Sequence, residues 1–244
     1  MLPLFIVETL PESGEVHITG DEARHAISAV RIKANELIAL TDGCGAKATA
    51  KVLEVERKAL LVQIVDRQFK EKSEIKLSVL QALTKGDRAR ETIELLTESG
   101  VDQIFPWAAQ RSIGQWKDDH DSQSKWQMWA REATKQSRRS WFPQVATLQT
   151  LSDITERFSD FDLVLLFHES DGAKLSSTLN SKLSEKTVRS ALIIIGPEGG
   201  ITDEEVNSFL AAGALSVNMG EPIFRSAHAG AAALAAVQTA LGIW

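Results

Sequence analysis

The sequence predicts an α/β protein in two parts: a small β-rich module followed by a larger domain built on a mainly parallel sheet. Three observations carry this reading. Residues 1–70 hold short strand-like runs, one helical stretch and a turn at Asp42-Gly43. From residue 73 onward, strand-like and helix-like segments alternate. Within that alternation, residues 162–167, 191–195 and 214–217 are short continuous apolar runs, the pattern of strands buried on both faces.

In chain order, residues 4–8 read as an apolar strand. Residues 21–30 read as a helix with Ala23, Ala26, Ile27 and Val30 at helical spacing. Residues 36–41 are strand-like and end in the Asp42-Gly43 turn, and residues 46–56 and 59–65 look like paired strands. The charged run at residues 67–74 reads as a linker, which places the domains at 1–70 and 73–244. Residues 75–82 form the next strand, and residues 87–99 a helix stopped by Gly100. In that helix Ala89, Ile93 and Leu96 share one face, with Arg88, Glu91 and Glu98 largely opposite. Residues 103–107 are a strand and residues 122–137 a long helix. The last helix is lined by small residues, Ala227, Gly230, Ala231, Ala232, Ala233, Ala235 and Ala236, which permit close backbone approach but also simply favour helix.

Bulk properties narrow the function classes. The chain has 244 residues, 43% of them hydrophobic and 25% charged, so it is globular rather than disordered or fibrous. The start, Met-Leu-Pro, has no basic region followed by a long apolar stretch, which predicts no signal peptide. The most apolar segment, residues 229–244, is too short and alanine-rich to span a bilayer, so no membrane partner is expected. The lone Cys44 excludes an internal disulfide and fits a reducing, cytoplasmic setting. Five scattered histidines, His17, His25, His120, His168 and His228, show no metal-ligand spacing, so no metal is expected. A net charge of −6 argues against nucleic acid only globally, because the local field at a groove decides binding. Lys85, Arg88 and Arg90 cluster on one segment, and Arg131, Lys135, Arg138 and Arg139 on another; solvated helix faces would look the same.

The most informative stretch is Ile195-Gly196-Pro197-Glu198-Gly199-Gly200, between a buried strand and a helix signalled by the capping-box pair Thr202 and Glu205. Loops at the carboxyl ends of parallel strands are where α/β proteins bind ligands. The spacing matches neither a dinucleotide fingerprint nor a P-loop, and Glu198 would repel a phosphate at the backbone amides. A ligand with hydroxyls or a positive charge suits it better, and a sulfonium nucleoside has both. Two more strand-end segments are polar or Gly/Pro-rich: Phe167-His168-Glu169, and Met219-Gly220-Glu221-Pro222-Ile223-Phe224-Arg225. Three such loops can converge on one pocket.

These strings together resemble a known family. Residues 195–200, 219–225 and the run Lys85-Gly86-Asp87-Arg88 look like the RsmE family of small-subunit ribosomal RNA methyltransferases, within the SPOUT (trefoil-knot) superfamily. Thr97-Glu98-Ser99-Gly100-Val101, Gln110-Arg111-Ser112, and Glu132-Ala133 through Gln136-Ser137, Arg139 and Pro143 are similar to further family segments. In the first part, Gly20-Asp21-Glu22-Ala23-Arg24-His25, Val30-Arg31 and Thr41-Asp42-Gly43 resemble the family's PUA-like β-barrel domain. The matches run through nearly the whole chain in order.

The resemblance implies methylation of N3 of a specific uridine in 16S ribosomal RNA by S-adenosyl-L-methionine, without metal, in a homodimer with a knotted second domain. Carried onto this chain, the cofactor-binding candidates are Phe167, His168, Glu169, Ile195, Gly196, Pro197, Glu198, Gly199, Gly200, Met219, Gly220, Ile223, Phe224 and Arg225. Arg139 and Arg225 are the catalytic candidates, since a guanidinium can donate two hydrogen bonds to a developing uracil anion. RNA-binding candidates are His25, Arg31, Lys85, Arg88, Arg111 and Arg138; the partner implied is ribosomal RNA or the small ribosomal subunit. Trp126 and Trp129, three apart on a helix, can stack on bases, with core or dimer packing as the plainer reading. Two departures stand out. The family's usual glutamate after the last cofactor loop is Ala227 here, and Arg138 replaces a usual glycine. Rival readings are a SPOUT enzyme acting on a ribose 2′-oxygen or on transfer RNA, and a non-catalytic RNA-binding assembly protein. A dehydrogenase is disfavoured by the missing glycine fingerprint.

Overall fold

The computed structural model describes every residue except 87, 118, 170 and 171, and all but the side chain of residue 119. The expected helix start at Asp87, and with it one position of the Lys85–Arg88 run, lies outside the described residues. The chain divides into two compact units, Met1–Lys72 with Thr134–Phe142, and Ser73–Ala133 with Pro143–Trp244.

The first unit carries β1 (Leu4–Ile6), β2 (Glu15–Ile18), α1 (Gly20–Arg24), β3 (Leu37–Thr41), β4 (Ala46–Val55) and β5 (Leu60–Phe69). They form one five-stranded sheet in the order β1-β3-β4-β5-β2, antiparallel except for the β1–β3 pair. Alternation along β4 buries Ala46, Ala48, Ala50 and Val52, which join Phe5, Ile38, Leu40, Leu60 and Val62 in the core of this unit.

Three expectations are corrected here. Residues 21–30 do not form one α-helix: α1 passes into a π-helical turn, His25–Val30, closed by Arg31 at φ 60°. The wider turn keeps Ala23 and Ala26 buried but carries Val30 out to 38% exposure, breaking the 3.6-residue spacing. The linker begins later than residue 67, because β5 runs on to Phe69, with Arg67, Gln68 and Phe69 paired to Ala48, Lys47 and Ala46. Strand β2, in which Val16 and Ile18 are buried, has too short an alternation to stand out in the sequence. The segment Thr134–Phe142 also belongs to the first unit: the amides of Gly45 and Phe142 donate to the carbonyls of Ser140 and Gly43 at 2.9 Å each, and the Trp141 indole donates to Lys70 O.

The second unit contains β6 (Lys76–Ala82), α2 (Arg88–Glu98), β7 (Gln103–Trp107), the body of α3 (Asp119–Gln136), β8 (Gln144–Val145), α4 (Leu151–Thr155), β9 (Leu163–Phe167), β10 (Ala173–Lys174), α5 (Leu175–Glu185), β11 (Ser190–Ile195), α6 (Asp203–Ala211), β12 (Leu215–Asn218) and α7 (Ser226–Ala240). Its seven-stranded sheet has the order β10-β12-β9-β11-β6-β7-β8, and every pairing is parallel. The central strands read as continuous apolar runs because both faces are covered. One face packs Leu77, Ile93, Leu96, Ile193 and Leu234, the other Leu80, Phe105, Leu192, Ile194 and Phe209. Trp126 and Trp129 are 5% and 8% exposed within the first of these cores, so they are packing residues and offer no face to a base. Gly230 sets the closeness of α7: a Cβ there would lie 2.6 Å from Leu96 Cδ2.

Candidate functional site

The order β12-β9-β11 puts three parallel strands side by side with their ends in register: Val217 pairs with Phe167, and Phe167 with Ile195. The loops that follow therefore leave the sheet at one level, and they enclose a cleft of about 620 Å³. This is the carboxyl-end position at which parallel sheets hold ligands.

The loop after β11 has a local logic. A Cβ on Gly196 would sit 2.5 Å from Ile201 Cγ1, and one on Gly199 3.1 Å from Arg111 Cβ, so neither position admits a side chain without movement. Gly200 takes φ 77° and its amide donates to Pro197 O at 3.0 Å, closing the turn. The loop then enters α6 through a capping box: the Glu205 amide donates to Thr202 Oγ1 at 3.3 Å and the Thr202 amide to Glu205 Oε2 at 3.0 Å. Glu205 is 2% exposed, and its other oxygen accepts the Gln110 amide at 2.7 Å, fastening the segment before Arg111 to the same helix start. Arg111 in turn donates to Gly199 O at 3.3 Å.

The third loop, after β12, ends at α7. Ser226, its first residue, is buried and donates from Oγ to Gly196 O at 2.6 Å while accepting from Gln81 Nε2 at 3.2 Å. A side-chain relay thus runs from the middle of the sheet to the backbone of the glycine loop. Gln81 is fully buried, and its Oε1 has no hydrogen-bond partner among the described residues. On the cleft rim Ile223 and Phe224 are 69% and 47% exposed.

Charge at the cleft is mixed. Glu169, Glu198 and Asp203 line it together with Arg111, Arg225 and His168. Glu198 stands 3.7 Å from the Arg88 guanidinium, an ion pair that ties the glycine loop to the first turn of α2. Beside it, His228 faces Glu91 at 3.2 Å.

Every residue assigned to cofactor binding from the sequence lines this one cleft: Phe167, His168 and Glu169 from the first loop, Ile195 through Gly200 from the second, and Met219, Gly220, Ile223, Phe224 and Arg225 from the third. Arg111, expected at RNA, lines it too. Lys85 and Arg88 are exposed nearby in sequence at the start of α2. Arg139 does not line the cleft; it belongs to the first unit, as do His25, Arg31 and Arg138. His25 is exposed with its ring 6.2 Å from Phe5, and Arg138, at φ 56°, donates to Leu2 O at 2.7 Å. Pro222, within the third loop, lines the cleft as well, whereas the sequence reading does not reach Ser226, Asp203 and Ala229 in the lining or Gln81 behind them. The only sequence signal for Ser226 is its place directly after the third loop. Ala227 is 2% exposed and outside the cleft lining. Among the described residues, no group of three or more His, Cys, Asp or Glu is placed to hold a metal, and no helix is long and apolar enough to cross a membrane.

Comparison with known proteins places these features in a family. Residues 71–238 match the model of the RNA methyltransferase domain, and residues 18–65 that of the RNA methyltransferase PUA domain. Ribosomal RNA small subunit methyltransferase E of Mycobacterium bovis is 32% identical over 248 residues, covering 99% of this chain and 93% of the relative. The protein of the same name from Bacillus subtilis is 27% identical, covering 94% and 92%. Among solved structures, ribosomal RNA small subunit methyltransferase E from Neisseria gonorrhoeae, bound to S-adenosyl methionine, superposes with a TM-score of 0.86 at 26% identity, over 98% of each chain.

Proposed function

The chain belongs to the ribosomal RNA small subunit methyltransferase E family, and we propose that it transfers the methyl group of S-adenosylmethionine to N3 of a uridine in 16S ribosomal RNA. The observation that carries this reading is the meeting of three strand-end loops around one cleft on the RNA-methyltransferase part of the chain.

The residues present fit such a donor. A volume of 620 Å³ lies in the range of cofactor pockets. Gly196, Gly199 and Gly200 line the cleft, so part of its wall is the loop's own backbone, against which a nucleoside would lie. Glu169 and Glu198 suit a cation and repel phosphates. When bound, S-adenosylmethionine supplies an electrophilic methyl group on a positively charged sulfur. The chain's own part is to orient and to stabilise. Phe167, Ile223 and Phe224 give the cleft apolar surface against which the donor would pack. Uracil N3 must lose its proton, to solvent or to a carboxylate, before its lone pair can take the methyl. Arg225, which lines the cleft, would hold the resulting charge on O2 or O4 through its planar fork. Arg139 has the same chemistry and keeps its proposed role.

The assembly-protein alternative drew on the missing glutamate at Ala227. Every residue assigned to the donor lines the one cleft in spite of that departure, and the enzymatic reading is the better supported. A cytoplasmic homodimer is part of the same proposal and is checked by light scattering of the purified protein. Calorimetry with S-adenosylmethionine, followed by methyl transfer to small ribosomal subunits and nucleoside analysis, tests the whole: uptake and 3-methyluridine are expected. Folded protein that takes up no donor refutes it, and a 2′-O-methyl product would move the reading to the other SPOUT chemistry. At saturating donor, Arg225→Ala and Arg139→Ala are expected to lower kcat by about 100-fold or more each, the range for loss of one charge-stabilising donor; near-normal rates remove these roles.

A further inference from the structure

In the first unit, cations gather where the ends of β4 and β5 meet the segment Thr134–Phe142. The Lys47 ammonium donates to Arg138 O, and the Arg138 guanidinium to Leu2 O at 2.7 Å. Those bonds fix the two groups without neutralising them. Burial, then the like charges of Lys70 and Arg138, hold the Lys47 ammonium below the ordinary lysine pKa. Lys72 Nζ stands 4.5 Å from the centroid of the Trp141 ring. Trp141 is itself pinned by its indole bond to Lys70 O at 2.7 Å, and half-exposed Phe69 meets it edge-on at 6.0 Å.

No carboxylate comes within ion-pair distance of Lys47, Lys70, Lys72 or Arg138 among the described residues. Asp66, on the outward face of β5, is engaged instead by Gln68 at 3.4 Å. Lys47 and Arg138 have a structural use, since they tie residues 134–142 and the chain start to the sheet. Lys70 and Lys72 do not: neither ammonium has a hydrogen bond or ion pair among the described residues. Like charges held together without a counter-charge cost stability, and an anion with several spaced charges removes that cost. A cluster of cations interleaved with fixed aromatic rings suits a nucleic-acid strand, whose phosphates take the charges and whose bases take the ring faces.

We propose that Lys47, Lys70, Lys72 and Arg138 form a phosphate-binding surface for the backbone of the RNA substrate, with Phe69 beside it as a stacking face. The proposal rests on the reading that RNA is the substrate, and it assigns a contact surface apart from the methyl-donor cleft. Lys70 and Lys72 are exposed, so the double variant Lys70→Gln/Lys72→Gln tests it without disturbing the bonds that Lys47 and Arg138 make. Affinity for a small-subunit ribosomal RNA fragment is measured across about 50 to 200 mM salt, with donor uptake followed by calorimetry. We expect about a tenfold loss of affinity at the low-salt end and a log–log salt slope shallower by about 1.5, two phosphate contacts at roughly 0.7–0.9 each. Donor uptake stays at the parent value, and Lys70→Arg/Lys72→Arg restores both affinity and slope. An unchanged affinity and slope overturns the surface, as does a loss that the arginine pair fails to restore, or a loss seen with polyglutamate and not with RNA. If instead the parent protein neither binds nor methylates small-subunit RNA, the functional reading itself fails, whatever the variant does.

Discussion

Ser226 holds the glycine loop from beneath. Its hydroxyl is the donor to Gly196 O at 2.6 Å, and Gln81 Nε2 completes its own hydrogen bonding. In Ser226→Ala the Gly196 carbonyl loses that donor, while Gln81 keeps its bond to Ala82 O. A bond of this kind contributes on the order of 1 kcal/mol, so donor affinity is expected to fall about fivefold, with kcat at saturation nearly unchanged. Calorimetry checks the first and single-turnover rates the second; a kcat loss with unchanged affinity contradicts the positioning role. Gly230 makes a second residue-scale claim, about packing. Leu96 is fully buried and cannot swing away from a Cβ that would sit 2.6 Å from its Cδ2. Gly230→Ala, favourable by helix propensity alone, is therefore expected to destabilise by about 1–3 kcal/mol, seen as a lower urea midpoint.

At the scale of elements, the start of β11 depends on one carboxylate. Asp162 accepts the amides of Arg189 at 2.8 Å and Ser190 at 3.0 Å, and the Ser190 hydroxyl at 3.0 Å. The bond from the Arg189 amide is the largest cause of a pKa held below the ordinary carboxylate value, against the opposing effect of burial. With the folded pKa depressed, the unfolded chain binds the proton more readily, so this stabilisation is complete above the ordinary value and lost as pH falls through the folded one. Asp162→Asn is expected to lower Tm by about 2–4 °C at neutral pH, with the gap to the parent closing as pH falls below the ordinary carboxylate value and through the depressed folded one. A gap that stays constant to the lowest pH would show that the charge is irrelevant. Elements of this second unit were the legible ones. Residues 191–195 and 162–167 read as buried strands because both faces are covered, and the Thr202–Glu205 pair announced α6 from four residues. The π-turn at His25–Val30 was not legible, since its sequence satisfies α spacing and only the packed unit selects the wider turn. Residues 67–69, Arg-Gln-Phe, looked like linker because they open a run dense in charge, and their pairing with β4 has no local mark in the sequence. Gln81 was invisible for the opposite reason: nothing local marks one polar residue in an apolar strand as the partner of Ser226, distant in sequence.

For the whole molecule, the consequence of the two-unit division is that no single cut separates them. All residues lining the cleft lie between 111 and 229, within the second unit, whereas residues 134–142, carried on the same stretch of chain, find their partners in the first. In a fragment of residues 73–244, Phe142 and Ser140 lose their backbone partners Gly43 and Gly45, Trp141 loses Lys70, and Arg138 loses both Leu2 and Lys47. The sheet and its three loops lose none of the bonds described for the cleft. The fragment is therefore expected to take up S-adenosylmethionine within about threefold of the full-length affinity, a difference under about 0.7 kcal/mol. Its 134–142 segment, stripped of those partners, should be cut by trypsin at Lys135, Arg138 or Arg139 at least about tenfold faster than in the whole protein, because cleavage follows the population of the open segment. Mass spectrometry of a digestion time course reads both proteins side by side. Equal cleavage rates would mean that residues 134–142 are held by the second unit alone, and loss of donor uptake would mean that the cleft depends on the first.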